Sequence, residues 1–424
     1  MQRLGARECP AFAERRAGRS TGGVDPSAIV LARGEGANLY DVDGNRYVDL
    51  AAGFGAVLLG HGPSAAHTAA HAQIDRLVQG LGDLYASDVK VELVEALGRL
   101  HPDPGARVLL CQSGADAVTA ALKTAALRTE RPGIVAFEGA YHGLGYAPLA
   151  ACGFKASFRE PFEAQLNPHV HFAPYPATPD AVAECLAQVE RRLATGQIGA
   201  VLFEPLLGRG GVVVPPPGFL SELVALARAH GALSIADEIW TGLGRAGAML
   251  RSVDDGAVAD LVVLGKGLGA SFPISACIGT ADAMSGWSRG GRVIHTSTHA
   301  GAPLGCAAAL ATLGELEARA LPARARAVGE RLRRLAHARL AGREGYVEVR
   351  GAGLVVGIEL ASGALGLAAH GALLGRGYLV TLGGQSTEVL VATPPLDVAE
   401  PLLEAWVGAL AEVLEQLGAP GTAT

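Results

Sequence analysis

The sequence predicts an α/β protein with a large domain, built on a mostly parallel sheet flanked by helices, and a smaller α+β domain after it. Three observations carry that expectation. Short apolar runs at residues 108–110, 134–137, 200–203, 233–236 and 261–264 alternate with longer helical patterns, as parallel strands joined by crossover helices require. Beyond residue 306 the pattern changes to an arginine-rich helix and short strands around residues 347–359. The chain has 424 residues, of which 50% are hydrophobic and only 18% charged. That is long enough for two domains, and much apolar area must be hidden in a large core or at a subunit contact.

The elements follow in order. Val91, Val94, Leu97 and Leu100 fall at steps of three and predict one buried helix face. A second helix over residues 221–230 has Ser221 as its N-cap and Gly231 as its stop. In the C-terminal part Val328, Leu332 and Leu335 line a helix whose outer side, with Arg324, Arg326, Arg331 and Arg333, reads as a solvated face. A closing helix is expected to begin at Asp397, with Glu400 completing a capping box, and to bury Trp406, Leu410 and Leu414. The expected domains are an N-terminal segment 1–59 packing with the small domain, a large domain 60–305 and a C-terminal small domain 306–424.

Composition narrows the function. With 35 basic against 41 acidic residues the net charge is −6, so a nucleic-acid partner is not expected. No run of about 18 apolar residues occurs, and residues 1–20 hold no apolar core of the kind a secretory signal needs. Six cysteines stand singly without a CxxC pair, which suits reduced thiols. A cytoplasmic enzyme without membrane partners is the expectation.

Three segments carry chemistry. In Ser234-Ile-Ala-Asp-Glu-Ile-Trp-Thr-Gly-Leu-Gly-Arg-Ala-Gly247 an apolar strand ends in two carboxylates, at the edge where α/β sheets bind ligands. Asp237 and Glu238 either serve a ligand there or cap the next turn. In Asp260-Leu-Val-Val-Leu-Gly-Lys-Gly-Leu-Gly269 a lysine follows a strand between glycines. Lys266 is either a desolvated nucleophilic amine or a side chain that snorkels. A P-loop is disfavoured because no Ser or Thr follows the lysine. In Val108-Leu-Leu-Cys-Gln-Ser-Gly-Ala-Asp-Ala117 a strand passes through Ser-Gly-Ala into a helix start, a cradle for a phosphate dianion. The strand end Phe137-Glu-Gly-Ala-Tyr-His-Gly143 offers an aromatic ring for a planar ligand, or for the core.

Together these segments resemble the class III, fold-type I aminotransferases that use pyridoxal phosphate, such as the ornithine, acetylornithine and 4-aminobutyrate enzymes. The resemblance covers nearly the whole chain. It includes residues 36–49, Leu59-Gly-His-Gly62, Glu204-Pro205, Ser297-Thr-His-Ala-Gly-Ala-Pro303, Arg350-Gly-Ala-Gly353 and Pro394-Pro-Leu396.

It implies a pyridoxal 5′-phosphate enzyme whose Lys266 carries the cofactor as a Schiff base and shuttles a proton, while Asp237 pairs with the ring nitrogen. Ser113, Gly114 and Ala115 would grip the phosphate. Tyr141 and Ile239 would face the two sides of the ring, with His142 beside them. Thr298 would reach the neighbouring subunit's phosphate, which makes the expected unit a homodimer with shared active sites. The implied activity is ping-pong transfer of an amino group between an ω-amino acid or primary amine and a keto acid or aldehyde. A glutamate-1-semialdehyde type aminomutase, a racemase, a decarboxylase and a non-catalytic cofactor-binding relative are the alternatives. Residues 242–247, Gly-Leu-Gly-Arg-Ala-Gly, favour the transferase branch.

The sequence also departs from the family. In glutamate-using members a glutamate five residues after the Glu of Glu-Pro pairs with an arginine three residues before Pro-Pro-Leu. Those positions hold Arg209 and Val391 here. Arg209 is expected either to bind a substrate carboxylate, to pair with an acid such as Glu204, or to point to solvent from a flexible loop. Asp116 replaces the usual glutamate. Phe54, Tyr85 and Trp240 fall where related enzymes line the substrate entrance, and each also suits plain packing. His61, His142 and His299 lack ligand-spaced partners, so no metal is expected.

Overall fold

The computed structural model describes residues 29–62, 64–82, 84–288 and 293–418; the first 28 residues of the N-terminal segment, with Cys9, lie outside them. The described chain opens with β1 (Leu31–Glu35), β2 (Asn38–Asp41) and β3 (Arg46–Asp49). A seven-stranded sheet follows, made of β4 (Arg107–Cys111), β5 (Gly133–Phe137), β6 (Val170–Ala173), β7 (Ile198–Phe203), β8 (Leu233–Asp237), β9 (Leu261–Leu264) and β10 (Ser275–Gly279). Its order is β4-β10-β9-β8-β7-β5-β6, with β10 antiparallel to both neighbours and the rest parallel. The C-terminal part adds β11 (Tyr346–Ala352), β12 (Val355–Leu360), β13 (Tyr378–Leu379), β14 (Thr381–Gly383) and β15 (Val389–Ala392). Four of these form an antiparallel sheet, β11-β12-β15-β14, while β13 crosses to pair with β3.

The large sheet is buried on both faces, which is why its strands read as continuous apolar runs. Val135, Phe137, Val201, Phe203, Val262 and Leu264 join one apolar layer, and Ile134, Ala136, Ala200, Leu202, Leu261 and Val263 the other. Successive side chains thus alternate between faces. The helix Gly114–Thr129 lies in the second layer, with Ala117, Ala120, Ala121 and Ala125 against the sheet. All five strands expected from apolar runs are present. The two that were not expected have physical reasons. β6 is a half-exposed edge strand, and β10, Ser-Ala-Cys-Ile-Gly, is made mostly of small residues.

Several local expectations are corrected. In the helix Asp88–Gly98 the buried stripe is Val89, Leu93 and Leu97, at steps of four, and Val91 is exposed. The helix Phe219–Ala229 begins at Gly218, whose φ of 89° turns the chain; Ser221 lies inside the helix. The last helix starts at Glu400, because Asp397 and Glu400 turn to Arg319 and Arg331 instead of capping. The arginines of the helix Leu321–Leu340 are more than a solvated face. Arg324 donates to the carbonyls of Leu396 and Val398, Arg326 to Gly247, and Arg333 to Gly353, so they pin the helix to neighbouring loops.

Candidate functional site

Register sets the site. Phe203 pairs with Ala236 and Asp237 with Val263, so β7, β8 and β9 end level and deliver Glu204, Asp237 and Lys266 to one edge. A cavity of about 380 Å³ opens there. Its lining includes Gly114, Ala115, Tyr141, His142, Glu204, Arg209, Asp237, Ile239, Trp240, Lys266 and Phe54. The C-terminal sheet completes the wall with Thr381, Leu382, Gly383 and Val391. Phe137, the last residue of β5, is followed by the turn that carries Tyr141 and His142.

Lys266 follows β9 with φ of 40°, and its Nζ lies 5.4 Å from the centre of the Trp240 ring. Burial lowers its pKa, and the carboxylates of Asp237 and Glu204 oppose that shift only partly. An amine so placed is a better nucleophile near neutrality than a free lysine. Asp237 is buried; its Oδ1 accepts from Ile239 N at 3.1 Å and its Oδ2 stands 2.7 Å from His142 Nδ1. The turn-capping reading of Asp237 therefore holds for one oxygen, while the other belongs to the histidine. Glu238 points away from the cavity and is spent on Ser252 and Thr241.

Glu204 accepts from Tyr141 N at 2.8 Å and Gly208 N at 3.0 Å. Burial still pushes its carboxyl up to about 7. The expected pairing of Arg209 with Glu204 is not formed. Arg209 instead rests over the Tyr141 ring at 4.6 Å and the Phe154 ring at 5.3 Å. It is half-buried rather than turned out to solvent.

Trp240 is wedged between two glycines. A Cβ on Gly208 would lie 1.8 Å from the indole, and one on Gly55 would lie 2.5 Å from it. Only glycine leaves room at these positions.

Ser113 caps the helix Gly114–Thr129, its Oγ accepting from Asp116 N. The amides of Gly114 and Ala115 open that helix, where no intrahelical acceptor exists. Tyr85 and Thr298 are exposed and do not line the cavity of their own chain; Thr298 O accepts from Gln79. Phe154, Thr381, Leu382 and Gly383 belong to the site and carried no signal in the sequence, whereas Gly143 lay within a segment already singled out.

The residues fit pyridoxal 5′-phosphate. A desolvated amine faces a slot between Tyr141 and Ile239. The buried Asp237 carboxylate in the same lining would suit a ring nitrogen. A helix start offers free amides to an anion. The slot is tight, since a Cβ on Gly114 would meet Ile239 at 2.9 Å and one on Gly143 would meet Ala115 at 3.0 Å.

Elsewhere, ligand atoms of Cys111, Asp116 and His295 lie within 4.8 Å of one another. Asp116 accepts from Gln112 N, burial lifts the Cys111 thiol to about 12, and Lys123 Nζ stands 3.4 Å from His295. A thiol held protonated and a histidine facing a lysine make a poor seat for a cation.

The family model for class-III aminotransferases matches residues 20–414. The acetylornithine aminotransferase of Mycolicibacterium smegmatis (strain ATCC 700084 / mc(2)155) is 39% identical over 395 residues, covering 91% of this chain and 94% of the relative. An amine transaminase from an uncultivated Pseudomonas species, solved with pyridoxal phosphate bound, superposes with a TM-score of 0.87 at 29% identity, covering 94% and 98%. The ornithine aminotransferase of Toxoplasma gondii does so with a TM-score of 0.83 at 27% identity, covering 96% and 98%.

Proposed function

We propose, from the premise that the chain belongs to the class-III aminotransferases, that its cavity transfers an amino group between an ω-amino acid or primary amine and a keto acid or aldehyde. The enzyme is pyridoxal-phosphate dependent and takes an amine donor and a carbonyl acceptor. One observation carries the assignment of residues: the half-buried Lys266, at the end of β9, shares the cavity with the buried Asp237 carboxylate. Bound there, the cofactor supplies an electron-withdrawing ring that holds the amino group between the two half-reactions.

The protein's part follows from its side chains. Lys266 Nζ is the covalent anchor and, once released, the base that takes a proton from the substrate carbon and returns it. His142 and the Ile239 amide hold the two oxygens of Asp237 and so fix the orientation of the carboxylate that would meet the ring nitrogen. The Gly114 and Ala115 amides with Ser113 receive the phosphate, and Tyr141 and Ile239 exclude water from the two sides of the ring. Phe54, Trp240 and Val391 give the entrance an apolar lining suited to a substrate whose amino group lies away from any carboxylate.

A homodimer is part of this reading. Ile74, Leu77, Val78, Leu81, Leu84 and Tyr85 expose apolar surface along one segment, as a partner's contact face would. Thr298, exposed and away from its own cavity, suits a role in the neighbouring one. A cytoplasmic setting agrees with the buried free cysteines and with a described chain in which no helix is long and apolar enough to cross a membrane.

Borohydride reduction followed by peptide mass analysis tests the assignment. A pyridoxyl phosphate adduct on the Lys266 peptide is expected, and Lys266→Ala should lower kcat by about 10³-fold, as loss of a positioned proton carrier implies. An adduct on another lysine, or none, would overturn the reading.

A further inference from the structure

The loop that carries Arg209 is braced from both sides. Val212 N donates to Gly208 O at 3.1 Å, Gly384 N to Arg209 O at 3.0 Å, and Arg350 Nε to Gly211 O at 2.9 Å. Gly384 and Arg350 belong to the C-terminal part, so the loop is held against the sheet that completes the cavity wall. Below the guanidinium the Tyr141 and Phe154 rings meet edge to face, 6.4 Å apart at 86°.

Ring faces steady a cation but accept none of its in-plane hydrogen bonds. Among the described residues no carboxylate pairs with Arg209, and Glu204, the nearest acid in the loop, has its oxygens on backbone amides. Five N–H donors are therefore fixed in a half-buried cavity without acceptors. The other cationic side chain in the lining, Lys266, is committed to the cofactor in the reading above. The rest of the entrance, from Phe54, Trp240, Leu382 and Val391, is apolar.

We propose that Arg209 is the specificity residue for the substrate carboxylate: its guanidinium, poised over Tyr141 and Phe154, takes the carboxylate of the keto acid or ω-amino acid. A substrate without a carboxylate meets only the apolar wall. Because rings and not an acid hold the arginine, no counter-charge has to swing aside for either kind of substrate. Planar, bidentate recognition of this kind belongs to arginine and is poorly replaced by lysine.

This inference rests on the transamination reading, and the experiment separates the two. Holoenzyme of the wild type, Arg209→Ala and Arg209→Lys is titrated with propionate, an unreactive carboxylate, by absorption change. KM and kcat are then measured for pyruvate as acceptor and for a carboxylate-free primary amine as donor. In Arg209→Ala the propionate Kd and the pyruvate KM should rise about 10- to 100-fold, with the loss falling on KM, and Arg209→Lys should recover part of it. The KM of the amine should move by less than about threefold. Unchanged pyruvate KM and propionate Kd would overturn the proposal, and so would equal losses for amine and keto acid, which mark a merely structural arginine. A wild type that moves no amine overturns transamination instead, and the propionate titration then still decides the role of Arg209.

Discussion

The loops after β7 and β8 leave adjacent parallel strands and begin alike, each with a buried acid and an arginine a few residues on. Glu204 precedes Arg209; Glu238 precedes Arg245. In both, the acid is spent on donors within its surroundings and not on the arginine. The arginines then part company. Arg245 is 1% exposed, donates to the Pro394 and Leu354 carbonyls, and is brought down to about 9 by burial. Arg209 has ring faces and no acceptor. One guanidinium, through its Nη1, joins loop to loop, and the other is left for a ligand. What separates a structural cation from a binding one here is whether acceptors are supplied by the chain itself.

Breaking the contrast should show first in stability. Arg245→Ala removes a fully buried side chain and strands two carbonyls, so it should cost about 3–5 kcal/mol in chemical denaturation. Arg209→Ala should cost less than about 1 kcal/mol. Equal losses would erase the distinction.

A smaller effect concerns pH. Because the Glu204 carboxyl is raised from 4.5 to about 7 in the folded chain, the folded state keeps a proton that the unfolded state has released between those values. Stability should therefore fall as pH climbs through that window, by on the order of 3 kcal/mol. Melting curves of Glu204→Gln across the same range should lack that component.

The smallest effect probes where the two loops touch. Gly208→Ala drives a Cβ into the Trp240 indole and should cost about 1–3 kcal/mol. A shift in tryptophan emission would report the displaced ring.

What the sequence revealed and what it hid divide along physical lines. β5, β7, β8 and β9 were legible because burial on both faces demands unbroken apolar runs. Asp237 and Lys266 stood out because each follows an apolar run at a strand end, and Lys266 lies between two glycines. Ser221 misled because a glycine with positive φ three residues earlier had already opened the helix, a backbone choice the serine does not record. The burial of Arg245 carried no signal in its glycine-rich stretch, because it depends on Leu354 and Pro394, more than 100 residues away. Phe154 entered the site through packing alone. Arg324, Arg326, Arg331 and Arg333 of the helix Leu321–Leu340 look like a charged surface in one dimension, yet three of these four reach backbone carbonyls that only tertiary structure brings near.

The cavity draws its reactive groups from one sheet and part of its outer wall from another. Thr381, Leu382 and Val391 stand on a different sheet from the strand ends that bear Glu204, Asp237 and Lys266. Selection for a different substrate can thereby act on one sheet while the reactive groups stay on the other, and an engineer wishing to widen the range of accepted molecules would begin with β14 and β15.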